Sequence, residues 1–345
     1  MSKMIVPNEL DEKKKGSLIG RLIVSAVLIG TALPCIILGS WFWFAFVTVF
    51  LLIAIHELIH VTKKKYSPFV YIVVYVAVLS FVYWFLIKGN VQEYRELKLL
   101  GLEDQWRFSL ENYYRSLSIS VYAISTLFGA LCFLAIIDKS FDWTDVVYLF
   151  TMSIIVGLGF QSFLFIRYFP FAAYASGDPG FDPDWLFKLW GSLVFPIFVV
   201  LGTYLNDAGA YFIGVFFGKH KMNPRISPNK TWEGFWGGKL IGGGLTLAFA
   251  LVCDACGFPL LPTMTVFGEQ SAWWWVVLLS FGLPFIADLG DFTFSLIKRF
   301  YQIKDYGSLL GPMGGVLDRA DSLSFVCIFA SVIAVFVSQG WNIFI

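Results

Sequence analysis

The chain has 345 residues, of which 58% are apolar, 19% aromatic and 14% charged; its net charge is +1 and its mean hydropathy +0.73. That balance excludes an ordinary soluble domain and describes an all-α, polytopic integral membrane protein. The cations are accounted for by membrane topology, so no nucleic-acid partner is expected.

Apolar runs long enough to cross a bilayer, roughly 20 residues each, lie at 19–39, 41–61, 67–87, 116–137, 143–166, 188–217, 235–253, 272–293 and 322–341. About nine transmembrane helices follow, the sixth run being long enough for a broken helix. The first run has a basic flank but no small-residue cleavage site, so it reads as a retained span. Lys13, Lys14 and Lys15 precede the first run, and Lys63, Lys64 and Lys65 follow the second. Cytoplasmic loops retain positive charge, so both segments belong inside. Alternation then puts 218–234 and 294–321 inside and 254–271, with Asp254 and Glu269, outside. The expected topology has a cytoplasmic N-terminus and an outer C-terminus.

Two regions differ in kind. Residues 1–187 form an N-terminal transmembrane region with two outer loops. The first, 89–115, is expected to contain a short surface helix. The second, SGDPGFDPDW, offers Asp178, Asp182 and Asp184, which could hold calcium but are also ordinary turn formers. Residues 188–345 form a C-terminal transmembrane region with the two basic cytoplasmic loops, where chemistry is expected.

One motif in the first region suggests different chemistry. His56 to His60 reads HELIH, the helical spacing that binds zinc in metalloproteases. A third ligand is missing, because the remaining histidine, His220, falls in a distant loop. An intramembrane zinc protease is therefore a remote alternative. All five cysteines lie in or beside apolar runs, and Cys253 with Cys256 makes a lone CxxC that reads as packing.

In the second region, Asp207 lies near the inner end of the sixth run. A carboxylate there is costly and points to a polar cavity or to a salt bridge. The segment GKHKMNPRISPNKTWEGFWGG follows, with cations and turn formers suited to a phosphorylated ligand or to simple positive-inside charge. DxxD then occurs twice, as Asp288 with Asp291 and as Asp318 with Asp321. Residues three apart on a helix share a face, so each pair presents two carboxylates. Between the pairs stand Lys298, Arg299, Lys304 and a flexible GPMGG. Carboxylates across a basic loop suit a divalent metal with bound phosphate, and hence phosphoryl or nucleotidyl transfer.

Here the sequence resembles the phosphatidate cytidylyltransferase, or CDP-diacylglycerol synthase, family. The family signature is matched by Ser295, Lys298, Arg299, Lys304, Asp305, Gly307, Gly314, Gly315, Asp318, Arg319 and Asp321, with every spacing kept. The DAGAYFIGVFFGKHK and ISPNKTWEGFWGG segments are similar too, so the likeness covers 205–325. The N-terminal region resembles the family in RLIVSAVLIG and in the glutamate near the end of the second span.

The resemblance implies that CTP and phosphatidate react, with Mg2+ or another divalent cation, to give CDP-diacylglycerol and pyrophosphate. It implies metal binding by Asp291 and Asp318, with Asp321 supporting them and Asp207 on the upstream motif. Phosphate binding would fall to Lys219, Lys230, Lys298, Arg299, Lys304 and Arg319. A homodimer in a membrane, as of a bacterial cell or an organelle, is implied as well. Two positions depart from the pattern: Met313 replaces a histidine, and Phe294 replaces a glutamate. They leave open a relative with another lipid acceptor, or a silent lipid-binding one.

Overall fold

A computed structural model describes residues 12–108, 121–177, 185–268 and 272–339. Among them one helix stands in each expected region: α1 (Glu12–Leu38), α2 (Ser40–His60), α3 (Pro68–Leu99), α4 (Val121–Ile137), α5 (Trp143–Gly177), α6 (Trp185–Phe217), α7 (Trp232–Ala255), α8 (Trp273–Phe300) and α9 (Leu317–Gln339). Seven of these, α2, α3 and α5 to α9, are long and apolar enough to cross a membrane. The apolar parts of α1 (Ile23–Leu38) and α4 are shorter. The fold is therefore all-α and polytopic, as composition demands.

Three details differ from expectation. The sixth run is one continuous helix that accommodates Pro196, as membrane helices can when neighbours satisfy the freed carbonyl. In the outer segment 89–115, α3 runs on as far as Leu99 and a short 3-10 helix follows at Glu103–Gln105, while residues 109–115 lie outside the described residues. The loop between α6 and α7 folds as an antiparallel hairpin, β1 (Lys221–Asn223) with β2 (Ser227–Thr231). Asp178, Asp182 and Asp184 lie outside the described residues.

The closest helix pair, α6 with α7, is explained by glycine spacing. Gly234, Gly238 and Gly242 repeat every fourth residue and form one stripe on α7. A Cβ on Gly238 would lie 2.8 Å from Asn206 O, and one on Gly242 would lie 2.7 Å from Asn206 N. Small residues at this spacing let two backbones touch, which is how helices associate where lipid removes the hydrophobic drive. The contact places Lys239 of α7 beside Asn206 of α6.

Segments that charge bias assigned to one side gather at one end of the bundle. Lys64, after α2, bonds Asp142 at 2.9 Å and Asp145 at 2.7 Å, before and in α5. Arg299, at the end of α8, donates to Ile226 O in the hairpin. At the opposite end Arg167 of α5 donates to Ile36 O of α1 at 2.8 Å, and Tyr168 donates to Ser40 O at 2.8 Å.

Candidate active site

The inner ends of α6, α8 and α9, with the hairpin, bring the acidic residues together. On α8, Asp288 and Asp291 are one turn apart. Lys230, from β2, bridges them, 2.5 Å from Asp288 Oδ1 and 2.7 Å from Asp291 Oδ2. Burial opposes the charge on Lys230, but the two carboxylates outweigh it and hold its pKa above the usual lysine value. Lys239 reaches the other oxygen of Asp288 from α7. It also donates to Asn206 Oδ1 at 3.0 Å and Pro284 O at 2.8 Å, and its ammonium lies over the Phe235 ring at 4.3 Å. Asp288 is thus fixed by two ammoniums.

The N-terminus of α9 is fixed by carboxylates instead. Its first N–H groups have no partners within the helix. Glu57 of α2 supplies them: Oε1 accepts from Val316 N at 3.0 Å and Oε2 from Leu317 N at 2.9 Å. Its charge sits at the positive end of the helix dipole. Gly307 and Gly315 are packed so tightly on this carboxylate that a Cβ at either would run into it. Asp318 Oδ2 accepts from Tyr306 N at 2.7 Å and Gly315 N at 2.9 Å, while Oδ1 meets Lys298 at 2.9 Å. Gly314 turns at φ +85° against Asp318 Oδ2, where a side chain would be both strained and obstructed.

HELIH is therefore answered by its middle acid. Glu57 is buried and caps α9, whereas His56 and His60 are exposed, their rings tilted by 34° with centroids 4.0 Å apart. No group of three potential metal ligands of the His, Cys, Asp and Glu types occurs among the described residues. Cys253 and Cys256 are free thiols.

The two acidic pairs meet where α8 crosses α9. A Cβ on Gly290 would be 2.9 Å from Asp321 O, so the helices touch backbone to backbone at that point. Asp291 and Asp321 consequently face each other electrostatically. Asp321 accepts from Ser322 N at 2.7 Å, and Lys298 stands 3.9 Å away. Asp207 of α6 completes the group, interacting with Lys230, Asp288 and Asp291.

Cations fall into two sets. Lys230, Lys239 and Lys298 are committed to carboxylates. Lys219, Arg299, Lys304 and Arg319 are exposed and make no ion pair among the described residues. Lys219 is placed by its backbone N–H, which donates to Glu233 Oε2 at 3.1 Å. Arg319 Nε donates to Met313 O at 3.1 Å. The turn holding Met313 rests on α1, with Ser25 Oγ 3.5 Å from Met313 Sδ. Phe294 is fully buried against Tyr306 and Phe325, with Tyr306 Oη donating to Phe294 O at 3.2 Å. Burial and nearby Asp318 push the Tyr306 hydroxyl upward, which keeps it a neutral donor.

Sequence reasoning did not assign a role to Lys239 or Asn206, nor the capping role to Glu57. A lysine inside an apolar run was the available signal for Lys239.

Fold and site together define a multi-pass membrane protein whose acids and cations collect at one end of a helical bundle. Residues 19–337 match the model of the Cytidylyltransferase family, and the chain belongs to that family. It is 31% identical over 239 residues to the phosphatidate cytidylyltransferase of Bacillus subtilis, which covers 67% of this chain and 76% of that protein. The protein of that name from Staphylococcus epidermidis is 32% identical over 203 residues, 59% of this chain and 64% of its own. That of Mycobacterium leprae is 40% identical over 125 residues, 36% of this chain and 35% of its own.

Proposed function

We propose that this enzyme transfers the cytidylyl group of CTP to phosphatidate, giving CDP-diacylglycerol and pyrophosphate. The observation that carries the reading is the meeting of Asp291 and Asp321 where α8 crosses α9, with Lys230 2.7 Å from the first and Lys298 3.9 Å from the second. A phosphate oxygen of the lipid forms a bond to the α-phosphorus of CTP. The bond from that phosphorus to the bridging oxygen breaks, and its electron pair leaves on pyrophosphate. A phosphate monoester is already ionised near neutral pH, so no general base is required and Met313 removes nothing the step needs. Lys219, Arg299, Lys304 and Arg319 would hold phosphate oxygens by charge-assisted hydrogen bonds.

The donor set fits a hard divalent cation such as magnesium, which prefers carboxylate and phosphate oxygens. Among the described residues the one hydrogen bond to Asp291 Oδ1 comes from Ser295 Oγ, at 3.4 Å, and Asp321 has oxygen lone pairs to spare. Both can hold such an ion. One bound at Asp318 must displace Lys298 from Oδ1, because Oδ2 is occupied by two backbone amides. When bound, the cation neutralises developing phosphate charge. The chain's own residues position the reactants around it.

The bacterial relatives support a bacterial plasma membrane, with the site on its cytoplasmic side where CTP is available. The resemblance also supports a homodimer, which sedimentation in detergent checks. The reaction is tested by CDP-lipid and pyrophosphate formation from CTP, phosphatidate and magnesium by the purified protein. A folded protein that binds CTP yet forms no CDP-lipid would refute it.

A further inference from the structure

At the end of the bundle where the basic loops gather, a cleft of about 780 Å³ opens between α5, α8 and the tip of the hairpin. Trp143 and Val147 of α5 and Leu296 and Phe300 of α8 form apolar walls, and Arg225 and Arg299 are the charged residues in its lining.

Three observations identify the occupant. The first is level. The stretches of α5 and α8 that can cross a membrane begin at Trp143 and end at Phe300, so the cleft sits where hydrocarbon gives way to water, the zone that aromatic side chains favour. Its four wall residues are exposed, which leaves it open sideways to lipid. The second is charge. Arg225 is exposed and makes no ion pair among the described residues. Arg299 donates through Nε to Ile226 O and through Nη1 to Ile303 O, both at 3.4 Å, so it fastens the hairpin tip to α8 and adds its charge to the rim. The acids beside the cleft, Asp142 and Asp145, share the Lys64 ammonium. Three cations therefore stand against two carboxylates, and the rim is positive. The third observation is separation from the catalytic acids. At 3.6 residues per turn, Leu296 and Phe300 lie about 140° and about 180° round α8 from Asp291, whereas Lys298 lies within about 20° of it. The cleft and the acidic cluster are on opposite faces of one helix.

We propose that this cleft binds an anionic phospholipid of the surrounding leaflet, with Arg225 donating to the headgroup phosphodiester and the chains running along Val147 and Leu296. Basic pockets beside membrane helices recognise lipid headgroups in this way. The site lies apart from the reaction proposed above and does not depend on it. Arg225 and Lys230 belong to one hairpin, so a headgroup held at its tip also keeps Lys230 on Asp288 and Asp291.

The test is native mass spectrometry of the full chain, titrated separately with dioleoylphosphatidylglycerol and dioleoylphosphatidylcholine. The parent binds one phosphatidylglycerol in preference to phosphatidylcholine. Arg225→Ala weakens that binding about 10-fold, as loss of one charge-assisted hydrogen bond does. Val147→Trp fills the cleft from an exposed wall position and weakens it too. Lys65→Ala removes a cation outside the lining and leaves it unchanged. Hydrogen exchange of the 221–231 amides slows when phosphatidylglycerol is added to the parent, and not in Arg225→Ala. No preference for the anionic lipid, equal weakening in the Lys65 variant, displacement of the lipid by inorganic phosphate, or hairpin amides indifferent to it would overturn the assignment. None of these outcomes touches the transfer reaction.

Discussion

The two DxxD pairs are equivalent as sequence but are held in opposite ways. On α8, Asp288 is 5% exposed and clamped by the ammoniums of Lys230 and Lys239, while Asp291 is 28% exposed and turned to the gap. On α9, Asp318 is 3% exposed and filled by Lys298 and two backbone amides, while Asp321 is 13% exposed beside the same gap. Each pair thus has one anchoring carboxylate and one with capacity to spare. The anchor on α8 depends on charge delivered by α7 and the hairpin. The anchor on α9 depends on backbone geometry, which Glu57 of α2 helps to set.

The largest expected effect separates the anchors by type. Asp288→Ala leaves Lys239 buried without its counter-ion and should cost about 3–5 kcal/mol, whereas Asp288→Ala with Lys239→Met should recover most of that. Thermal unfolding in detergent measures both, and a single variant as stable as the parent would contradict the clamp. Next, Asp321→Asn and Asp291→Asn should each lower CDP-lipid formation on the order of 10²–10³-fold with little change in melting temperature. Full activity in the Asp321 variant would leave Asp318 as the sole α9 carboxylate that matters.

Glu57→Gln sharpens the comparison at α9. It replaces one acceptor oxygen by a donor facing a backbone N–H, and should destabilise by about 1–3 kcal/mol. His56→Ala and His60→Ala should match the parent in both stability and turnover. Loss of turnover in either histidine variant would reopen the zinc reading. The smallest effect lies at Lys64, whose pKa is raised by its hydrogen bonds to Asp145 and then Asp142. Its contribution is fully present below the unfolded lysine pKa and fades as pH rises through the higher folded value. Lys64 is partly exposed and solvent screens the pair, so Lys64→Ala should cost less than about 1 kcal/mol. A melting series from pH 7 to pH 11 checks the sign.

How far the sequence could be read depends on whether a signal is local. Length and apolarity of each run announce a helix by themselves, because a chain in lipid must satisfy its amides internally. Lysine clusters beside the runs grouped the loops correctly at one end of the bundle. DxxD spacing marked the carboxylate faces, and the signature between 205 and 325 carried the family. Nothing local distinguishes Asp288 from Asp291, or Asp318 from Asp321. The difference comes from Lys239, Lys298 and the Gly315 and Tyr306 amides, which approach from other elements.

Glu57 shows the same limit from the other direction. Its neighbours in sequence are histidines, so local spacing suggested metal. Its neighbours in space are the amides of Val316 and Leu317, some 260 residues away, so its role is to cap a helix. The sequence by itself determined the all-helical, polytopic character of the chain and the residue types available for phosphate chemistry, though seven helices rather than nine are long and apolar enough to cross a membrane, since hydropathy, charge and helical period act over one or two turns. Tertiary structure alone decided which acid anchors and which faces the gap, because burial and partner choice depend on contacts that chain order does not record.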